Sequence, residues 1–239
     1  MSSTYSYIYK LFSFLFLIIG MKLIAQEKKD PELSFLRDVY NTYNTAHSYE
    51  MEVEVAMFNN KETLAYPKQK NYTLKSYDNF YIQTPELTTI QTTNYQLVID
   101  HISKEVRYVS FNKEEQKHLQ TEHIKSTLPD FSEMKDMIAS IKRDTQITTI
   151  AFKENPTFKK TVYTFNTDSK LLKTVDYYSV SQEYGQPAHI KIEYLTSNFN
   201  QNIDDSIFRL NKYLIEIDSK LRLTTPYEGY SLVNNHTAQ

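Results

Sequence analysis

The sequence predicts an α+β fold: a curved antiparallel sheet, an incomplete barrel, covered by helices. Three observations carry that expectation. Apolar and polar residues alternate along many short stretches, the period of a half-buried strand. Asn, Asp and Ser clusters separate those stretches into hairpins. Two segments instead space their apolar residues by three and four, as an amphipathic helix does. About eight to ten strands plus two helices make an α+β protein. A meander of hairpins with one long apolar face must close or be covered, and a bent sheet with helices inside the curve does both.

Residues 1–26 read as an export leader. Lys10 supplies the positive start, and Leu11 to Met21 is apolar apart from Ser13 and Gly20. That run is shorter than the roughly 20 residues a membrane-spanning helix needs and suits the apolar region of a secretory signal. Cleavage after Ala25 or Gln26 is expected, with an uncleaved anchor or a buried N-terminal helix as the alternatives. Residues 27–239 are then one domain, with a C-terminal extension from about residue 211.

Pro31 to Tyr43 follows as an amphipathic helix, with Asp30 as N-cap and Pro31 in the first turn. Leu33, Phe35, Leu36, Val39, Tyr40 and Tyr43 form its apolar stripe. From Tyr49 to Phe58 the odd positions Tyr49, Met51, Val53, Val55 and Met57 alternate with Glu50, Glu52 and Glu54, a strand with one wet face. Tyr72–Ser76 and Phe80–Thr84 flank a turn at Tyr77-Asp78-Asn79, and Tyr95–Ile99 and Val106–Phe111 flank Asp100–Glu105. Phe131, Met134, Met137, Ile138 and Ile141 lie at helical spacing, predicting a second helix over Phe131–Lys142 with Asp130 as N-cap. Strands resume at Gln146–Phe152, Thr161–Phe165 and Leu171–Val180, then at His189–Leu195, where Ile190, Ile192 and Tyr194 alternate with His189, Lys191 and Glu193. Leu214–Ile217, Lys220–Leu223 and Tyr230–Val233 add short strands.

Composition removes several function classes. The 239 residues include no cysteine, which excludes disulfides, thiolate metal sites and a cysteine nucleophile. Only 3 glycines are present, so the clustered glycines of phosphate-cradling loops and of the G-x-S-x-G elbow are missing. Lys10 and Lys22 are the only charges in residues 1–26, so their removal from 27 basic and 29 acidic groups leaves the mature chain at −4. No basic face is concentrated enough for nucleic acid.

This order of elements resembles the outer-membrane lipoprotein carrier (LolA-like) family. An export leader and an N-terminal helix run into a long alternating strand, followed by hairpins with acidic turns and a mid-chain helix. The late strand His189-Ile-Lys-Ile-Glu-Tyr-Leu195 then leads into Asn200-Gln-Asn-Ile-Asp-Asp-Ser-Ile-Phe208, similar to the family's Asn-x-x-Ile-Asp-x-x-x-Phe. The resemblance covers residues 30–210 or so and implies an incomplete barrel with a helical lid over an apolar cavity. It implies periplasmic shielding of a lipid or lipoprotein acyl chain, and carries over no individual functional residue.

Candidate cavity-lining residues are Met51, Val53, Val55 and Met57, with Leu97 and Ile99 on a later strand and Ile190, Ile192 and Tyr194 on the late one. Flexible methionines suit irregular apolar ligands, although such a face is also ordinary core. His118 and His123 stand five apart, about 140° around a helix, too divergent for one metal. Adjacent Asp204 and Asp205 read as a turn or cap rather than paired acids, and Glu50, Glu52 and Glu54 as a solvated stripe. Nothing calls for a cofactor, a metal or covalent catalysis. The leading expectation is a non-catalytic periplasmic carrier. The alternative is an envelope adaptor that uses the same scaffold, with a filled interior, to bind protein partners through surfaces such as Tyr213–Tyr230. An open void between sheet and helices favours the first, and tyrosine rings plugging it favour the second.

Overall fold

The computed structural model describes residues 31–112, 134–180 and 188–234. It begins with a helix, α1 (Pro31–Asn44), followed by β1 (Ser48–Phe58), β2 (Gln69–Ser76), β3 (Asn79–Gln83), β4 (Leu87–Gln91), β5 (Tyr95–Asp100) and β6 (Glu105–Ser110). Then come β7 (Ile138–Arg143), β8 (Ile147–Phe152), β9 (Phe158–Asn166), β10 (Leu172–Ser179) and β11 (His189–Phe199), and in the tail β12 (Leu214–Ile217), β13 (Lys220–Leu223) and β14 (Ser231–Asn234). Twelve strands form a large curved sheet in the order β14-β6-β5-β4-β3-β2-β1-β11-β10-β9-β8-β7, with β12 and β13 as a separate pair. The sheet is open, bounded by β14 and β7. Among the described strands only β14 runs parallel to its neighbour, β6.

Hairpin turns are made largely without glycine. Tyr77, Lys104 and Lys170 in such turns, and Asn200 just after β11, hold φ between 53° and 63°, a region that normally favours glycine. Asp100 and Asn166 offset that strain by accepting backbone N–H bonds, from Ile102 and Ser103 and from Asp168 and Ser169 respectively.

The register shows which face each residue occupies, since directly paired residues point the same way. One row runs Met51, Thr73, Ile82, Thr89, Val98, Arg107; the next runs Glu50, Leu74, Tyr81, Ile90, Leu97, Tyr108. Phe35, Leu36, Val39 and Tyr43 of α1 pack on the first face, over Tyr49, Met51, Ile150, Phe152, Tyr163, Phe165, Leu172 and Val175. The second row belongs to a different core on the opposite face. There Leu74, Tyr81, Ile90, Leu97, Ile99 and Val106 are covered by Phe208, Tyr213 and Leu214 from the tail. The sheet therefore buries its helix face across β1 and β8–β11 and its tail face across β2–β6. This corrects the expectation of one continuous apolar face. Among the described residues a single α-helix covers the sheet, and the second cover is the C-terminal segment, built of 3₁₀ turns at Asp205–Phe208, Leu210–Lys212 and Thr225–Tyr227 and the β12–β13 hairpin.

The helix expected over Phe131–Lys142 is also corrected. Phe131 to Glu133 lie outside the described residues; Lys135–Met137 is one 3₁₀ turn, and Ile138–Arg143 is strand β7. Ile138 pairs with Phe152 and Ile141 with Ile150, and the register slips between Ile138 and Ser140. A bulge inserts one residue, so two apolar residues three apart reach the same face of a strand. That spacing imitates a helix.

Candidate functional site

The sequence-chosen cavity residues divide by face. Met51, Val53, Val55 and Met57 stand on the helix face of β1, opposite Ser197, Tyr194, Ile192 and Ile190 of β11. The alignment of Val53 with Tyr194 holds because β11 bulges at Leu195, between the partners of Glu52 and Val53. Leu97 and Ile99 lie on the other face, fully buried under the tail, and cannot join this group. The expectation that all nine residues line one cavity is corrected on that ground.

Within the helix-face group burial is graded. Met51 is buried beneath α1, whereas Val53, Val55, Met57, Ile190, Ile192 and Tyr194 are half-buried. They form an apolar strip two strands wide, of which Ile192 and Tyr194 pack against the helix-covered core. Its β2 border is polar: Gln69, Asn71 and Thr73 stand opposite Val55, Val53 and Met51. The side-chain carbonyl of Asn71 and the hydroxyl of Ser197 are both buried without a hydrogen-bond partner, an expensive state for a polar atom. Two concavities, of about 370 and 230 Å³, are also present, one over Val98 and Arg107 and one lined by Glu52, Tyr72 and Gln83 that meets the strip's border at Asn71.

Tyrosines occupy the interior next to the strip. The Tyr163 and Tyr177 hydroxyls meet at 3.3 Å, and the Tyr43 hydroxyl accepts the Leu172 N–H at 2.8 Å. Burial pushes the Tyr43 phenol up to about 12, against the lowering effect of that bond. Burial also drives Tyr163 and Tyr194 well above the ordinary tyrosine value. Tyr194 as a whole is half-buried, and burial is still the largest influence on its phenol. These phenols stay protonated at neutral pH, and Tyr43, Tyr163 and Tyr177 act as hydrogen-bonding filler.

The remaining candidates resolve into structural roles. Asp204 accepts from the backbone N–H and the hydroxyl of Ser206, capping a 3₁₀ turn, while Asp205 accepts from the Ser76 hydroxyl at 2.7 Å. Glu52 and Glu54 pair with Lys70 and Lys68 at 2.8 and 2.6 Å, and Glu50 accepts from Tyr72 at 2.9 Å. His118 and His123 lie outside the described residues. Sequence reasoning missed a cross-strand stack at the far end of the tail face. His189 lies between Phe58, at 5.1 Å, and Tyr178, at 4.4 Å, and bonds Asp176 at 2.8 Å. It also missed Lys75, a buried cation on the helix face of β2. Neither has a local sequence motif, because each is assembled by register.

No family model matches the chain, and no curated protein does. Among solved structures it is similar to an uncharacterized conserved protein from Thermus thermophilus, at 6% identity and a TM-score of 0.47, over 85% of this chain and 99% of that one. It is similar to a chain of the MucA/MucB complex of Pseudomonas aeruginosa, at 5% identity and a TM-score of 0.43, over 82% of this chain and 64% of that one. It is also similar to a LolA superfamily protein from Nitrosomonas europaea, at 10% identity and a TM-score of 0.32, over 74% and 96%.

Proposed function

We propose that the chain is an exported, non-catalytic binding protein of the periplasm that shelters a lipid or lipoprotein acyl chain against the strip formed by β1 and β11. The single observation that carries this reading is the half-buried row of Val53, Val55 and Met57 beside Tyr194, Ile192 and Ile190. Such a row leaves apolar surface in water that a ligand would cover, with each methylene group it buries contributing about 0.8 kcal/mol. The leader read from the sequence of residues 1–26 supports this proposal, and no described helix is long and apolar enough to cross a membrane.

A second reading is favoured by one observation: tyrosines fill the interior beside α1. In that reading the chain is an envelope adaptor, and the strip receives an apolar segment of a protein partner. Detergent-free purification followed by native mass spectrometry separates the two. Copurified or added fatty acyl ligand bound at one equivalent supports the carrier. A chain that stays free of lipid and takes none up would overturn it and leave the adaptor.

A further inference from the structure

Lys75 is 9% exposed, although an ammonium group is rarely buried without a counter-charge. It stands opposite Tyr49 on the helix face, and β3 places Phe80 opposite it on the other side. Its Nζ lies 5.8 Å from the Tyr49 ring centre and 5.9 Å from that of Phe80. One of its three N–H groups donates to the Ala46 carbonyl at 3.1 Å. No carboxylate forms an ion pair with it among the described residues; Asp78 acts only from a distance, and burial draws the ammonium below the ordinary lysine value. Its other two N–H groups have no protein acceptor among the described residues, so an acceptor from outside could take them.

The surroundings continue toward the strip. From Lys75 the helix face of β2 runs through Thr73 and Asn71 to Gln69, opposite Val55, a distance of about 20 Å at the rise of a strand. The unpartnered Asn71 carbonyl and Ser197 hydroxyl lie along that path on either side of β1. A cation at one end, a row of polar groups along one border and an apolar strip beyond make an arrangement of amphipathic chemistry. We propose that Lys75 anchors the anionic headgroup, a carboxylate in the first instance, of an amphiphile whose chain lies on the β1–β11 strip. This rests on the binding-protein reading above and adds a ligand class to it.

A competing structural role is plain: Lys75 ties the link between α1 and β1 through Ala46. Headgroup selectivity distinguishes the two, because a tie has no effect on it. Oleate and oleyl alcohol share a chain and differ in the charged group, so each is titrated into the full chain and read by native mass spectrometry. The expected result is a preference for oleate of about tenfold or more, the size of one charge-assisted hydrogen bond. Lys75→Met abolishes the preference by weakening oleate alone, and Lys75→Arg keeps it. Equal binding of the two ligands by the wild-type chain overturns the Lys75 assignment while leaving the binding-protein reading intact. Binding of neither overturns both. Displacement of oleate by an equal concentration of acetate overturns the amphiphile and leaves a small-anion site. The wild-type comparison decides even where Lys75→Met fails to fold.

Discussion

The hydroxyl of Tyr95 donates to the backbone carbonyl of Phe208 at 2.5 Å across 113 residues of sequence. Both residues are buried at 6% exposure, so this bond joins the sheet to the segment that covers it. Tyr213 supports the same segment by donating to the Ile207 carbonyl at 2.8 Å. In Tyr95→Phe the Phe208 carbonyl stays buried without its donor, which costs about 1–3 kcal/mol. Urea denaturation measures it, and a loss below about 0.5 kcal/mol would mean that water replaces the phenol. Deletion of residues 201–239 is expected to be far worse. It uncovers Leu74, Ile90, Leu97, Ile99 and Val106 together, and the product should bind a hydrophobic dye and aggregate.

The tail hairpin offers a stabilising change. Asp218 and Ser219 connect β12 to β13 with φ of 53° and 58°, the pattern of a two-residue type I′ turn. An L side chain is strained there, and Asn or Asp followed by Gly is the favoured pair. Ser219→Gly therefore relieves the second position, at the cost of some unfolded-state entropy. A gain of about 0.5–1 kcal/mol is expected from those opposing effects. Unchanged or reduced stability in a urea titration would show that entropy outweighs the strain relieved.

Much of this fold is legible in the sequence where local pattern and final burial agree. The α1 stripe from Phe35 to Tyr43, the alternation of β1 and the turns at Asp100 and Asn166 all appear where expected. Three features are not legible. β4 carries Leu87 and Ile90 three apart on opposite faces, so no alternation announces it. β7 hides behind a bulge that copies helical spacing. The change of buried face between β1 and β2–β6 is invisible because alternation within one strand says which residues share a side and not which side of the sheet it is. Leu97 and Val53 therefore look equivalent in sequence and lie on opposite faces. Lys75, similarly, reads as one more strand lysine until register sets it between Tyr49 and Phe80.

Alkaline pH should unfold the protein through its tyrosines. Burial raises Tyr43 and Tyr95 to about 12, above the value near 10 of an unfolded tyrosine. A folded value raised in this way gives stability that is fully present below about pH 10 and lost as pH climbs toward about 12. Each such group contributes a slope of about 1.4 kcal/mol per pH unit in that window. Lys75 acts in the opposite sense: its lowered folded value makes the native state gain as pH rises toward the ordinary lysine range, one group against several. The net expectation is a urea midpoint that falls steeply above pH 10 or so, together with delayed appearance of phenolate absorbance. A flat midpoint there would show that these hydroxyls reach water without unfolding.

Arginine placed on the two faces separates core from site. Ile99 is fully enclosed by its cluster, so Ile99→Arg buries an unpaired charge and is expected to prevent folding. Val55 is half-buried on the strip and pairs with Gln69 on one side and Ile192 on the other. An arginine there can turn its head toward water while its stem lies on the strip, so the fold should survive with a loss of about 1 kcal/mol or less. Acyl ligand uptake should nonetheless fall at least tenfold, because the guanidinium occupies the surface a chain would cover. Circular dichroism with native mass spectrometry reads fold and uptake on the same sample. A folded Val55→Arg that binds acyl ligand as well as the wild type would remove the β1–β11 strip from consideration. An unfolded one would place Val55 in the core, and Met57→Arg, near the end of the strip, would then repeat the test.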